Sequence, residues 1–222
     1  MLNSLREMPL FPLNTVLFPG MVLPLHIFEP RYKLMIGQCI ADNAPFGVVL
    51  IKDGAEVGSP AVPFDVGTSA YIRQVDQLSD GRMNIECVGY QRFKIHDILS
   101  TTPYMVGQIE LIPPVEDDAP DIAELAKSLR DQLDGYLSLI SQATGKTLSP
   151  EAIPAQSNAL AYWVAIVAPL EKTDKQTLLE CLHLSDLLKA EIALTRKETM
   201  LLKALLFSDS HSHNDASSFS SN

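Results

Sequence analysis

The sequence predicts an α+β protein, a β-rich half followed by a helical half, and three observations carry that reading. From Met8 to about Pro114, prolines and glycines punctuate short apolar, β-branched runs such as Phe46 to Ile51, the pattern of strands separated by turns. The stretch Pro113 to Pro120, PPVEDDAP, has the prolines and acids of an exposed linker. Beyond it the hydrophobic period lengthens from about two to about 3.6 residues, the change from strand to helix.

Within the first half, Thr68 to Val75 and Met83 to Val88 read as two strands joined through Ser79-Asp80-Gly81-Arg82. Asp-Gly is a strong hairpin signal because both residues tolerate positive φ. Strands over Gln91 to Ile98 and Tyr104 to Ile112 extend the meander. One helix interrupts it: Pro30 suits a first helical position, and Tyr32, Met35, Ile36, Cys39 and Ile40 follow at helical spacing.

In the second half, the stripe Ile122, Leu125, Ala126, Leu129, Leu133, Tyr136, Leu137 and Ile140 predicts a helix with one buried face. Its expected partner is the apolar segment Ala159 to Ala168, which holds Trp163 and stops at Pro169. Thr173 and Gln176 fit a capping box for a short helix through Cys181, and Ser185 fits the N-cap of a long one through about Phe207. The serine-rich stretch from Ser208 to Asn222 lacks the apolar surface to offset its ordering entropy and is expected to be a disordered tail. The chain thus divides into a β-rich part over 1–118, a helical bundle over 119–207 and a tail over 208–222.

The formal net charge of −10 argues against a phosphate backbone as partner. Basic residues are scattered among acids, with no run of like charge. Three widely spaced cysteines, Cys39, Cys87 and Cys181, do not make a disulfide framework and suit small apolar positions. The N-terminus has no long apolar segment, and no stretch of about eighteen apolar residues occurs. A soluble, cytoplasmic protein is the expectation.

The segments Pro9 to Leu13 (PLFPL), Val16 to Gly20 (VLFPG) and Leu23 to Tyr32 (LPLHIFEPRY) open an ordered series of motifs. Val66-Gly67-Thr68-Ser69-Ala70, Asp80-Gly81-Arg82 and Gly89-Tyr90-Gln91-Arg92-Phe93 continue it. The series resembles the N-terminal substrate-binding domain of Lon-type ATP-dependent proteases over roughly residues 8–112, and the helical half agrees in kind. The resemblance implies a PUA-like twisted, partly closed β-barrel with one helix, followed by a helical bundle. It also implies capture of unfolded or exposed polypeptide segments, with a Lon-type protease or its clients as partners, in bacterial-type protein quality control. The chain stops before any ATPase or peptidase module, so the resemblance implies a stand-alone, non-catalytic binder of adaptor or chaperone-like type.

Motifs that would carry chemistry fail on stated requirements. Ala143-Thr144-Gly145-Lys146-Thr147 approaches a phosphate-binding loop, but GxxxxGK[ST] needs glycine where Ile140 stands and a strand where the pattern is helical. A helix C-cap at Gly145 fits better. No glycine-flanked nucleophilic serine is present, and His26, His96 and His183 are isolated in sequence. His211 and His213 lack the third and fourth ligands of a metal site. No catalytic residue, cofactor or metal is assigned.

A binding module needs a surface. Phe28, Arg31, Tyr32 and Met35 around the first helix and Tyr90 and Phe93 after the hairpin are the candidate polypeptide-binding residues, because broad-specificity peptide sites use apolar and aromatic contacts beside a strand edge. The same periodicity also suits a core position for most of them. A second surface is the last helix, whose distal cluster Met200, Leu201, Leu202, Leu205 and Leu206 offers a homo-oligomer contact. Two other classes stay open: an RNA-binding PUA-like protein, against which the acidic balance weighs, and an enzyme using the barrel mouth, which would require His26, Arg31 and an acid together in one deep pocket.

Overall fold

The computed structural model describes residues 5–55, 61–115, 119–144 and 153–216. The protein is a mixed α+β fold with a seven-stranded sheet and five helices among those residues. Two compact units divide the chain: one takes residues 1–115 together with 169–181, and the other takes 116–168 together with 182–222.

In the first unit the strands are β1 (Arg6–Leu13), β2 (Val22–Ile27), β3 (Phe46–Asp53), β4 (Val62–Pro63), β5 (Val66–Gln77), β6 (Met83–Ser100) and β7 (Met105–Leu111). They follow the order β1-β7-β6-β5-β3-β4, with β2 on β6. The hairpin forms where Asp80-Gly81 predicts it: Gly81 has φ +79°, and Leu78 N–H donates to the Arg82 carbonyl at 2.9 Å. The strands expected over Met83 to Val88 and Gln91 to Ile98 are one 18-residue strand. The meander is likewise incomplete as a description, because β1 pairs in parallel with β3, from Leu10–Gly47 to Leu13–Leu50. Parallel pairing needs a crossover, which α1 (Pro30–Ala41) supplies.

Glycines let β6 sit close to its neighbours. A Cβ on Gly89 would lie 2.2 Å from the Phe18 carbonyl oxygen, and Gly47 and Gly67 leave the space that the Phe93 ring fills. Two apolar clusters result. One gathers Phe11, Tyr32, Met35, Ile36, Phe46 and Ile85 under α1, and the other gathers Leu10, Val49, Phe93, Ile95 and Ile109.

The short helix α4 (Lys172–Glu180) belongs to this unit, where the sequence pattern groups it with the other helices. The capping box does not form: the N-cap is Glu171 without a side-chain bond, and the Gln176 Nε2 instead donates to the Val66 carbonyl at 3.0 Å. The Arg92 guanidinium, 2% exposed, donates to the carbonyls of Leu179 at 2.8 Å, Pro113 at 3.3 Å and Cys181. It places a positive charge at the carbonyl end of α4, the favoured sign there.

The second unit holds α2 (Ile122–Thr144), α3 (Ser157–Val167) and α5 (Leu184–Ala216), each in contact with the other two. The predicted stripe of α2 buries Ala126, Leu129 and Leu133; α3 buries Leu160, Ala161, Val164 and Ala165. Ser185 lies inside α5 and is buried rather than capping it. The backbone of α5 runs on through residues expected in the tail, since nothing from Ser208 to Ala216 is a proline or glycine that would stop it. The proposed C-cap at Gly145, the acids at 116–118 and the end of the tail fall outside the described residues.

Candidate functional site

β2 is the sheet's exception. It pairs antiparallel with the first half of β6, from Val22–Val88 to Ile27–Met83, and with no other strand among the described residues. Its exposure alternates, with Val22, Pro24 and His26 outward and Ile27 buried. Proline inside a strand is tolerated where its missing N–H faces an unpaired edge, and Pro24 meets that condition here.

Beside this strand lies a groove of about 210 Å³, lined by the run Pro24 to Glu29 together with Phe11, Leu13 and Tyr32. Its walls are aromatic and aliphatic. Tyr32 stacks on Phe11 with ring centroids 3.9 Å apart, and Phe28, 49% exposed, stands at the rim with its ring 6.0 Å from that of His26. The polar groups of the groove are already engaged: His26 Nδ1 bonds Asn84 Oδ1 at 2.7 Å, and Arg31 Nε donates to Glu29 Oε2 at 2.9 Å. The Arg31 guanidinium also lies 4.5 Å from the Tyr32 ring centroid. His26 and Glu29 thus line one groove, and Arg31 is joined to it through Glu29.

The six candidate residues separate. Phe28 lines the groove, and Arg31 is bonded to the lining residue Glu29. Tyr32 is in its wall but buried against Phe11, because α1 lies over β1 there. Met35 is wholly buried on the inner face of α1, and Phe93 is wholly buried over Gly47 and Gly67, so neither offers a contact surface. Tyr90 is 65% exposed, but it pairs edge-on with Tyr71 at 5.4 Å and does not line the groove. The sequence reading omits Pro24 and Leu25. Their signal is the proline within an alternating strand, which marks an edge.

Among the described residues no group of three or more His, Cys, Asp and Glu is arranged to hold a metal. Cys39 and Cys87 are buried, and burial pushes both thiols up to about 11, away from the reactive thiolate. No helix among the described residues is long and apolar enough to cross a membrane.

The groove thus sets aromatic and aliphatic walls along a strand edge. The chain belongs to the ATP-dependent protease La (LON) substrate-binding domain family, whose pattern covers residues 7–197. It is 29% identical over 205 residues to a Lon protease of Buchnera aphidicola subsp. Baizongia pistaciae, covering 89% of this chain and 26% of that protein. To Lon protease 2 of Herpetosiphon aurantiacus it is 32% identical over 192 residues, covering 82% and 23%. The chain therefore spans about a quarter of the length of these relatives. Among solved structures, a Lon N-terminal domain protein from Xanthomonas campestris matches with TM-score 0.64 and 27% identity over 85% of this chain and 98% of that one. The N-terminal domain of Mycobacterium avium complex Lon protease shares the fold, with TM-score 0.61 and 19% identity over 86% and 98%.

Proposed function

We propose that this chain binds unfolded or exposed polypeptide segments without catalysing a reaction on them, as an adaptor or chaperone-like module. The observation that carries the reading is the groove of Phe11, Leu13, Pro24 to Glu29 and Tyr32, apolar and flanked by an exposed phenylalanine. Membership of a family described as substrate-binding supports it. A Lon-type protease, or its clients, is the partner this reading favours, in the cytoplasm. The pairing of β1 with both β7 and β3 supports viewing the sheet as a PUA-like, partly closed barrel. The net charge of −10 favours polypeptide over nucleic acid. Exposed Met200, Leu201 and Leu205 on α5 support self-association through that helix.

The test is light scattering of a chemically denatured client diluted into buffer with and without the protein. Dose-dependent suppression of aggregation near stoichiometric ratio is the expected result. No suppression, together with no binding of any member of an immobilised array of client-derived peptides, rules the reading out.

A further inference from the structure

The geometry points to a specific mode of capture: the groove is a vacant strand position, and an extended segment of a partner polypeptide fills it by adding to the free edge of β2. This rests on the polypeptide-binding reading and assigns its site and recognition chemistry.

Three observations carry the inference. First, the groove touches consecutive residues, Pro24 through Phe28. Neighbours in a strand point to opposite faces, so a space that meets all of them lies along the strand's edge. The other edge of β2 is occupied by β6.

Second, among the described residues the backbone on the groove side of β2 has no strand partner. Gly89 donates its N–H to the Met21 carbonyl at 2.9 Å and accepts from Gly20 N–H at 2.8 Å. In an antiparallel ladder such positions alternate, so Cys87, Ile85 and Met83 face β2 and bond Leu23, Leu25 and Ile27, their register partners. Val22, Pro24 and His26 then present their backbone outward. Pro24 has no N–H to leave unsatisfied there, which explains a proline at this position. The edge offers three carbonyls and two N–H groups, the pattern that an extended main chain complements.

Third, the opposite wall has room for the same strand. β7 pairs with β1 only from Arg6 to Leu10, while β3 continues along it to Leu13. Past Leu10, β1 therefore has a partner strand on one side only among the described residues, and Phe11 and Leu13 line the groove. Alternate side chains of an added strand would meet Phe11, Leu13 and Phe28, which calls for apolar residues at every second position. Glu86 stands opposite Pro24, and the chain is acidic overall, so basic flanks complete the preferred occupant.

The experiment uses the full chain and a fluorescein-labelled peptide of alternating valine or phenylalanine and threonine with terminal lysines, read by anisotropy. Single N-methylation is moved along the peptide, and amide exchange of the bound protein is followed by NMR. The expected result is a loss of at least tenfold in affinity at alternate positions, larger than at the intervening ones, with new protection of the Val22 and His26 amides. Binding with equal sensitivity at odd and even positions, or with protection elsewhere, overturns strand addition and leaves polypeptide binding standing. Failure of this peptide and of denatured clients to bind at all overturns both.

Discussion

Arg92 in β6 donates to the carbonyl of Leu179 at 2.8 Å, joining residues 87 positions apart. In this bond and those to Cys181 and Pro113 the acceptors are backbone carbonyls, so each of the three fixes main chain. Arg92→Met keeps the aliphatic stem and strips the donors, leaving three carbonyls without this partner. The expected loss is on the order of 3 kcal/mol. Arg92→Lys should recover only part of it, because a single ammonium cannot reproduce the planar fork. Urea unfolding followed by circular dichroism checks this, and a change within about 0.5 kcal/mol would exclude the role.

Glu191 on α5 is fully buried, and neither carboxyl oxygen has a hydrogen-bond partner. Desolvation pushes its pKa well above 4.5; the Ala165 backbone amide opposes this only partly and falls outside hydrogen-bonding geometry. With the folded pKa raised, the folded state holds the proton more tightly, so the stabilisation is complete below about pH 4.5. It is lost as the pH climbs through the folded value. Glu191→Gln should flatten that decline, and Glu191→Leu should raise stability at pH 8 by about 1–4 kcal/mol. Trp163 fluorescence reports on this unit during unfolding at pH 5 and pH 8. A wild-type protein equally stable at both would contradict the prediction.

Two glycines make a contrast. Gly89→Ala drives a Cβ to 2.2 Å from the Phe18 carbonyl oxygen and should cost about 1–3 kcal/mol by forcing backbone to move. Gly135→Ala in α2 meets nothing within 4 Å and should gain about 0.5–1 kcal/mol from helix propensity. Differential scanning calorimetry of the two variants should show Tm shifts of opposite sign.

Cys39 and Cys87 are buried and held near pKa 11, chiefly by desolvation, whereas Cys181 is partly exposed. Iodoacetamide at pH 8 should label Cys181 first in the native protein and all three thiols only in denaturant. Peptide mass spectrometry reads the order directly, and early labelling of Cys87 would contradict the described packing.

Phe28 is half-exposed at the groove rim and outside both core clusters. Phe28→Ala should leave Tm within about 1 °C of wild type while weakening peptide binding about tenfold, a hot-spot-sized effect of 1–2 kcal/mol. Unchanged affinity would separate the groove from polypeptide binding.

Local signals in the sequence carried the parts of the fold that depend on neighbours along the chain. Pro30 with its 3.6-residue repeat marks α1, and Asp80-Gly81 marks the hairpin, because propensity and periodicity act over a few residues. The parallel β1–β3 pairing and the docking of α4 were not legible. The first is written in a backbone ladder and the second in side-chain bonds to backbone carbonyls, from Gln176 to Val66 and from Arg92 to Leu179, which demand no particular residue at the acceptor. The same limit shaped the site. Phe28 was visible as an aromatic beside a helix start, but Met35 and Phe93 were equally apolar and differ only in what covers them. Pro24 marks β2 as an edge, but whether a groove lies beside that edge is decided by the elements around it.

The β unit is completed by residues 169–181, which come after two helices of the other unit. On a ribosome adding about 5–20 residues per second, the seven strands emerge several seconds before the Leu179 and Cys181 carbonyls that receive Arg92. During that interval Arg92 lacks its two acceptors at the end of α4. Maturation of the two units is therefore interleaved in time, and a chain released before Cys181 would carry every strand of the sheet yet lack its closing latch.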